Sequence, residues 1–160
     1  MKKSYVDLPD GQIHLRRVDG AGPPVVFLHR TPNSSASFEA VLARLAGRRA
    51  GIALDTPGFG ASFTPVGRTT TIDYARWFFA ALDAMNVDAF HLCGHHTGTH
   101  FAMEMARLAP HRVRSLLLSG VMYADAGTRA FIRSVIPKAP APDSDGKYVD
   151  DTWKLMRGLF

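Results

Sequence analysis

The sequence predicts an α/β fold, in which helices cover both faces of a mostly parallel sheet. Continuous apolar runs, which are typical of strands buried on both faces, alternate along the chain with segments whose apolar residues recur at helical spacing. Right-handed crossovers between such strands make the sheet mostly parallel. The chain has 160 residues, of which 46% are hydrophobic and 21% charged, and this is the profile of a folded globular protein.

The first two strands are predicted to form an antiparallel hairpin at one edge of the sheet. Residues 4–8 and 12–18 alternate in polarity around the turn Pro-Asp-Gly at 9–11. The first continuous apolar run, at 24–29, follows a Gly-Pro-Pro break and ends in a polar loop that begins at His29. This run is therefore expected to be the first interior strand.

Helices and strands then alternate as far as Ser119. A helical stripe begins at Phe38 and is expected to stop at Gly47, because glycine is common just beyond a helix end. The later elements are predicted, in order, as a strand at 50–55, a helix at about 71–86, a strand that begins near Ala89, a helix at about 97–109 and a strand at 113–119. The Leu-Leu-Leu run predicts that this last strand is buried.

Composition and charge argue against several classes of function. The net charge is +5, but the basic residues are scattered and form no run of the kind that nucleic-acid binding uses. No uninterrupted apolar segment is long enough for a membrane span, and no apolar core follows the N-terminal lysines as in a signal peptide. The single cysteine, Cys93, allows no internal disulfide, so a reducing, cytoplasmic environment is expected.

The stretch at 89–98, Ala-Phe-His-Leu-Cys-Gly-His-His-Thr-Gly, carries the clearest signal of a functional site. Gly94 and Gly98 stand two residues either side of His96, which is the spacing of a nucleophile elbow between a strand and a helix. In such a turn the central residue is forced towards positive φ, where histidine is one of the few enriched non-glycine residues, and bulky flanking residues would collide. His96 is therefore predicted to lie at positive φ between two required glycines.

Three motifs together resemble the α/β-hydrolase superfamily over about residues 22–120. They are Phe-Leu-His-Arg-Thr-Pro at 27–32, Asp-Thr-Pro-Gly-Phe-Gly-Ala-Ser at 55–62, which is the most specific, and Gly-His-His-Thr-Gly at 94–98. The resemblance implies the α/β-hydrolase fold truncated after its sixth strand, with a core at 1–120 and the start of a lid or cap segment at 121–160. It also implies a hydrolase that acts on a small ester or related carbonyl substrate, without a bound cofactor.

The resemblance further implies the positions of the site residues. His96 would be the catalytic residue. An oxyanion hole would use the backbone N–H groups of Arg30 and Thr97, since N–H groups at a helix start lack partners within the helix and suit an anion. His29 and His95 would lie in the pocket, although a hydrogen-bonded structural role for His29 fits equally well.

Two departures from the family pattern leave the function open. His96 stands where serine hydrolases carry a hydroxyl nucleophile and where dehalogenases and epoxide hydrolases carry Asp. An imidazole can attack an acyl group or act as a general base; the alternative is a catalytically inactive pocket that serves as a ligand-binding or interaction domain. The last of the seven histidines is His111, so no later histidine completes a triad, and Asp125 is the tail carboxylate placed where some family members carry their acid.

Truncation after the sixth strand has a physical consequence. The strand at 113–119 would be an uncovered edge with exposed leucines, and such an edge pairs readily with another chain. A homo-oligomer, or a missing C-terminal half, is therefore expected to cover it.

The histidines near the elbow could in principle bind a metal ion. His96 and His100 are four residues apart on a predicted helix and His95 is adjacent, so they share one neighbourhood. No acidic residue nearby completes a zinc-binding spacing. No metal ion is therefore expected.

Overall fold

A computed structural model describes residues 1–121, 125–135 and 143–158. The chain divides into two compact units, Met1–Met122 and Tyr123–Phe160. The first unit contains the sheet and the elbow, and the second contains two helices. The interpretation of 121–160 as the start of a cap stays a prediction, and its proline-rich part at 136–142 lies outside the described residues.

The first unit is built on a six-stranded sheet with the order β1-β2-β4-β3-β5-β6. Its strands are β1 (Lys2–Leu8), β2 (Gly11–Val18), β3 (Ala21–Leu28), β4 (Arg49–Leu54), β5 (Phe90–His95) and β6 (Val113–Ser119). The hairpin strand β2 pairs antiparallel with β1 and β4, and the pairs β3–β4, β3–β5 and β5–β6 are parallel. The predicted α/β class, with its edge hairpin and parallel interior, is confirmed.

Three helices connect these strands and two more follow them. They are α1 (Glu39–Leu45), which a 3-10 turn at Ser35–Phe38 precedes, α2 (Thr71–Ala84), α3 (Thr97–Leu108), α4 (Ala126–Val135) and α5 (Lys147–Gly158). The start of α2 is fixed by a capping box, in which the side chains of Thr70 and Asp73 each accept the other's backbone N–H. The sequence predicted α1 to α3, but α4 was not predicted.

The core lies on both faces of the sheet. Leu28 and Leu92 pack with Phe78 of α2 and Met105 of α3 on one face, whereas Phe27 and Cys93 pack with Leu42 of α1 on the other. Neighbouring residues of one strand serve opposite faces because side chains alternate across a strand. This double burial explains why β3 and β5 read as continuous apolar runs.

The edge strand β6 is exposed at its centre, which agrees with the expected uncovered edge and not with the expected buried strand. Within the described residues it pairs with β5 alone, and the side chains of Leu116 and Leu117 are 40% and 62% exposed. The prediction of a buried strand was therefore wrong for its centre. An apolar run records the tendency of a strand to be covered and does not reveal whether a cover is present.

The helices of the described chain were also considered as membrane spans. None of them has both the length and the apolar character that crossing a bilayer requires.

Candidate active site at the strand–helix elbow

His96 lies between the end of β5 and the start of α3 with φ 53° and ψ −116°. Its backbone is held from both sides, because its N–H donates to the carbonyl of Ser119 (2.8 Å) and its own carbonyl accepts the N–H (2.9 Å) and hydroxyl (2.6 Å) of Thr99. The predicted positive φ is confirmed. A non-glycine residue in this region is strained, and it persists only where the surrounding structure imposes it.

Both flanking glycines are required by close backbone approach. A Cβ at Gly94 would stand 2.6 Å from the carbonyl oxygen of Gly98, and a Cβ at Gly98 would collide with the carbonyl oxygen of Leu28. The predicted need for two small residues is confirmed. The first turn of α3 therefore lies directly against the carboxyl end of β3, and this brings the loop after β3 to the elbow.

The His96 side chain is half-buried and has one polar atom without a partner. Its Nδ1 is shielded from solvent and makes no hydrogen bond to any residue that the structure describes. Buried polar atoms are nearly always hydrogen-bonded, so an exception in a strained turn points to a position that interacts with a ligand. The imidazole can serve there as a nucleophile or as a base.

The loop after β3 contributes a backbone donor that the sequence did not identify. The N–H of Thr31 donates to Oγ1 of Thr97 (2.6 Å), and the two threonine hydroxyls lie 3.1 Å apart. Arg30, whose N–H the resemblance implied as the donor, comes one residue earlier. The sequence carried no signal for Thr31, because the direction in which a loop N–H points depends on the path of the loop in space.

His29 is fully buried and uses both ring nitrogens inside the protein. Nδ1 donates to the carbonyl of Arg30 (2.7 Å), and Nε2 accepts the N–H of Thr56 (2.9 Å). Burial lowers the pKa of His29, which favours the neutral ring that this pattern requires. His29 therefore ties the loop after β3 to the loop after β4.

Asp55 anchors the loop after β4. Its carboxylate is 1% exposed and accepts hydrogen bonds from the N–H groups of Ser35 (2.6 Å) and Ala61 (2.9 Å) and from Nδ1 of His14 (2.9 Å). Burial opposes ionisation of the carboxyl, but these hydrogen bonds outweigh it and hold the pKa of Asp55 below its ordinary value. The sequence analysis identified the motif that begins at Asp55 but did not predict that Asp55 anchors the loop. The signal that could have indicated this role was an acidic residue directly after a buried strand.

The remaining predicted site residues lie in different surroundings. His95 is half-buried at the end of β5, with Nδ1 3.3 Å from the hydroxyl of Ser119. Asp125 is exposed and belongs to the second unit, where it accepts the N–H of Thr128 (2.7 Å) in the first turn of α4, and this bond lowers its pKa. Across residues 1–121, 125–135 and 143–158, no three His, Cys, Asp or Glu side chains are grouped to hold a metal ion.

The structure thus brings His96 and Thr97 together with the loop that carries His29, Arg30 and Thr31. This arrangement presents an imidazole beside the N–H groups of a helix start and of a neighbouring loop. Such donors stabilise negative charge that develops on a carbonyl oxygen, and each is worth about 3–4 kcal/mol in known oxyanion holes. These groups lie together at the carboxyl edge of the sheet.

The chain is similar in sequence to proteins that are named as hydrolases or dehalogenases. The profile of a family described as alpha/beta hydrolase fold matches residues 23–140. The putative carbamate hydrolase RutD of Azorhizobium caulinodans is 32% identical over 130 residues, which cover 79% of this chain and 49% of that protein. A haloalkane dehalogenase of Agrobacterium fabrum is 32% identical over 115 residues, 71% of this chain and 38% of that protein.

Solved structures agree on the same architecture. An epoxide hydrolase from an endophytic Streptomyces superposes with a TM-score of 0.72 at 29% identity, covering 82% of this chain and 42% of that one. The chain therefore spans half or less of the length of these relatives.

Proposed function

Because the chain belongs to the alpha/beta hydrolase fold family, we propose that it carries the elbow of a hydrolase that acts on a small ester or related carbonyl substrate. The observation that carries the proposal is His96, held at positive φ with a buried, unpartnered Nδ1 beside the start of α3. Strain and an unsatisfied polar group at one residue are costly, and proteins keep both mainly at functional sites.

In the proposed reaction, the imidazole of His96 attacks the carbonyl carbon of the substrate. The carbonyl oxygen takes up negative charge, which the N–H of Thr97 and an N–H of the loop at Arg30 and Thr31 stabilise. The ester C–O bond then breaks, and the leaving oxygen takes up the proton that the acylated ring loses, so an alcohol departs and an acyl-imidazole remains. Water adds to the acyl carbon, the C–N bond to the ring breaks, and the carboxylic acid and the free imidazole result. The same imidazole acting as a general base on water would give the same products without a covalent intermediate.

The names of the relatives support hydrolysis and a carbonyl substrate to different degrees. The haloalkane dehalogenase and the epoxide hydrolase cleave carbon–halogen and epoxide bonds by name, and the carbamate hydrolase acts on a carbonyl compound by name. A fold that hosts several reactions leaves the choice of substrate to the site. His96 favours the carbonyl substrate because an acyl-imidazole hydrolyses readily.

A second candidate is a catalytically inactive domain that has kept a ligand pocket. The replacement of the usual nucleophile by histidine favours it. In this case the unpartnered Nδ1 of His96 would bind a ligand without turnover.

We also propose that β6 is an interaction edge. Its leucines are exposed, and among the residues that the structure describes no strand pairs with its outer side, where another strand could add. A second copy, or a further segment of a longer protein, would cover it. Three further expectations stay predictions. They are the assignment of 121–160 as the start of a cap, the placement of Asp125 where some family members carry their catalytic acid, and the cytoplasmic location expected from the single cysteine, Cys93.

Turnover of p-nitrophenyl acetate tests the proposed function. Free imidazoles hydrolyse this ester slowly, so the matched control is His111→Ala, which removes an exposed histidine outside the site. We expect His96→Ala to lower kcat/KM by about 100-fold or more and His111→Ala to leave it unchanged. Equal values of kcat/KM in the two variants would refute the proposal that His96 catalyses hydrolysis. A gain of activity in His96→Ser would indicate an intact pocket that lacks only its nucleophile.

A further inference from the structure

One peptide group beside the elbow is held at both ends. The carbonyl of Arg30 accepts Nδ1–H of His29 at 2.7 Å, and the N–H of Thr31 donates to Oγ1 of Thr97 at 2.6 Å. The Arg30 carbonyl and the Thr31 N–H belong to the same peptide bond, which is planar. The two contacts therefore fix the direction in which the Thr31 N–H points.

The hydrogen bonds behind this peptide strengthen it as a donor. Thr56 N–H donates to Nε2 of His29 at 2.9 Å, and His29 donates in turn to the carbonyl of Arg30. Linked hydrogen bonds polarise one another. When the carbonyl of a peptide group accepts a hydrogen bond, the N–H of the same peptide group becomes a better donor. The Thr31 N–H is thus a fixed, polarised donor aimed at the first turn of α3.

A side chain of the protein occupies this donor. Thr97 is the first residue of α3, and its hydroxyl oxygen lies where the acceptor oxygen of a substrate would lie in order to bind the Thr31 N–H. A backbone N–H of good geometry binds one strong acceptor at a time. A substrate oxygen therefore has to compete with the Thr97 hydroxyl.

Resting on the proposed function, we propose that Thr97 is a positioning residue whose hydroxyl saturates the Thr31 N–H until a substrate oxygen displaces it. The hydroxyl holds the loop after β3 in place, and it also lowers the apparent affinity for an oxygen ligand, since only the fraction with a released N–H can bind. An intramolecular hydrogen bond contributes about 0.5–1.5 kcal/mol net, which corresponds to about 2- to 13-fold in that affinity.

The test is a titration of the chain with acetate, in which two-dimensional NMR monitors the chemical shift of the Thr31 amide. The shift as a function of acetate concentration gives the affinity. Thr97→Val keeps the shape of the side chain but removes the acceptor, and Thr97→Ser keeps the acceptor. We expect Thr97→Val to bind acetate about 2- to 13-fold more tightly and to expose the Thr31 amide to faster hydrogen exchange. Thr97→Ser should restore the behaviour of the wild type.

Unchanged or weaker acetate binding in Thr97→Val, or no binding in any variant, would overturn the proposal. Unshifted resonances of the β1–β2 hairpin report that each variant is folded. The titration needs no turnover, so the role of Thr97 can stand if the ester is not hydrolysed. It can equally fail while His96-dependent hydrolysis is observed, and the two results are therefore independent.

Discussion

The loops after β4 and β5 leave the same edge of the sheet, and each has a buried side-chain atom without a partner in the described chain, Oγ1 of Thr56 and Nδ1 of His96, but Asp55 and His96 themselves differ. Asp55, after β4, is buried and accepts three hydrogen bonds from the protein. His96, after β5, is strained at φ 53° and keeps a buried ring nitrogen without a partner in the described chain. A carboxylate whose oxygens accept bonds from the protein stabilises the structure, whereas a polar atom without a partner can interact with a ligand.

The two loops are connected through the loop after β3. Its His29 accepts the N–H of Thr56, next to Asp55, and its Thr31 donates to Thr97, next to His96. The loop after β4 thus helps to position the loop after β3, whose N–H groups lie near the elbow. Sites work best when residues behind them lock the groups that contact the ligand.

Asp55→Asn should give the largest loss of stability in this comparison. An amide presents one acceptor oxygen where the carboxylate presents two, so an NH₂ group would face at least one of the N–H donors. Removing one member of a buried charged network typically costs about 3–5 kcal/mol. Urea unfolding of the chain measures this difference.

The matched control for that change is Asp88→Asn, because Asp88 is exposed. An exposed substitution of this kind is expected to alter the free energy of unfolding by less than about 0.5 kcal/mol. If the two variants unfold at the same urea concentration, Asp55 does not anchor the loop.

His96→Gly should stabilise the protein while removing the proposed catalytic group. Glycine adopts φ 53° without steric cost, and relief of such strain is worth about 1–3 kcal/mol, less about 0.5–1 kcal/mol for the added freedom of the unfolded chain. We expect a net gain of about 1 kcal/mol in urea unfolding. The matched control is His95→Gly in β5, which should lose stability; a loss at position 96 as well would show that the turn is not strained.

The smallest predicted effect is a pH dependence that comes from His29. Burial lowers the pKa of His29 in the folded chain below 6.5, so the unfolded chain takes up its proton first as the pH falls. The stability that His29 contributes is therefore present above pH 6.5 and declines below it, by at most about 1.4 kcal/mol per pH unit.

The variant His29→Asn isolates this dependence, since asparagine can replace the hydrogen bond to the Arg30 carbonyl but does not titrate. Unfolding measured at pH 7.5 and 5.5 should show a difference between wild type and variant that shrinks at the lower pH. A difference that stays constant would mean that His29 is not held neutral in the folded chain.

The fold was largely predictable because its signals are local. Apolar runs marked β3, β4 and β5, and the spacing of Gly94 and Gly98 marked a turn that the collision of any Cβ with neighbouring backbone confirms. The helix α4 was missed because the residues around it are rich in Ala, Pro and Asp, a composition that favours irregular structure. The apolar run at 113–119 wrongly predicted a buried strand at Leu117, because a pattern of apolar residues does not state what covers them, whereas the predicted truncation correctly implied an exposed edge.

The sequence by itself determined the order of the elements, the elbow and the presence of histidine at its centre, because each depends on residues close together along the chain. Only the tertiary structure decided that Thr31 donates to Thr97, that His29 uses both nitrogens and that Asp55 has three donors. These contacts join residues up to 66 positions apart. Hydrogen bonds of this kind depend on distance and angle within a few tenths of an ångström, which the packing of strands and loops sets and no local pattern records.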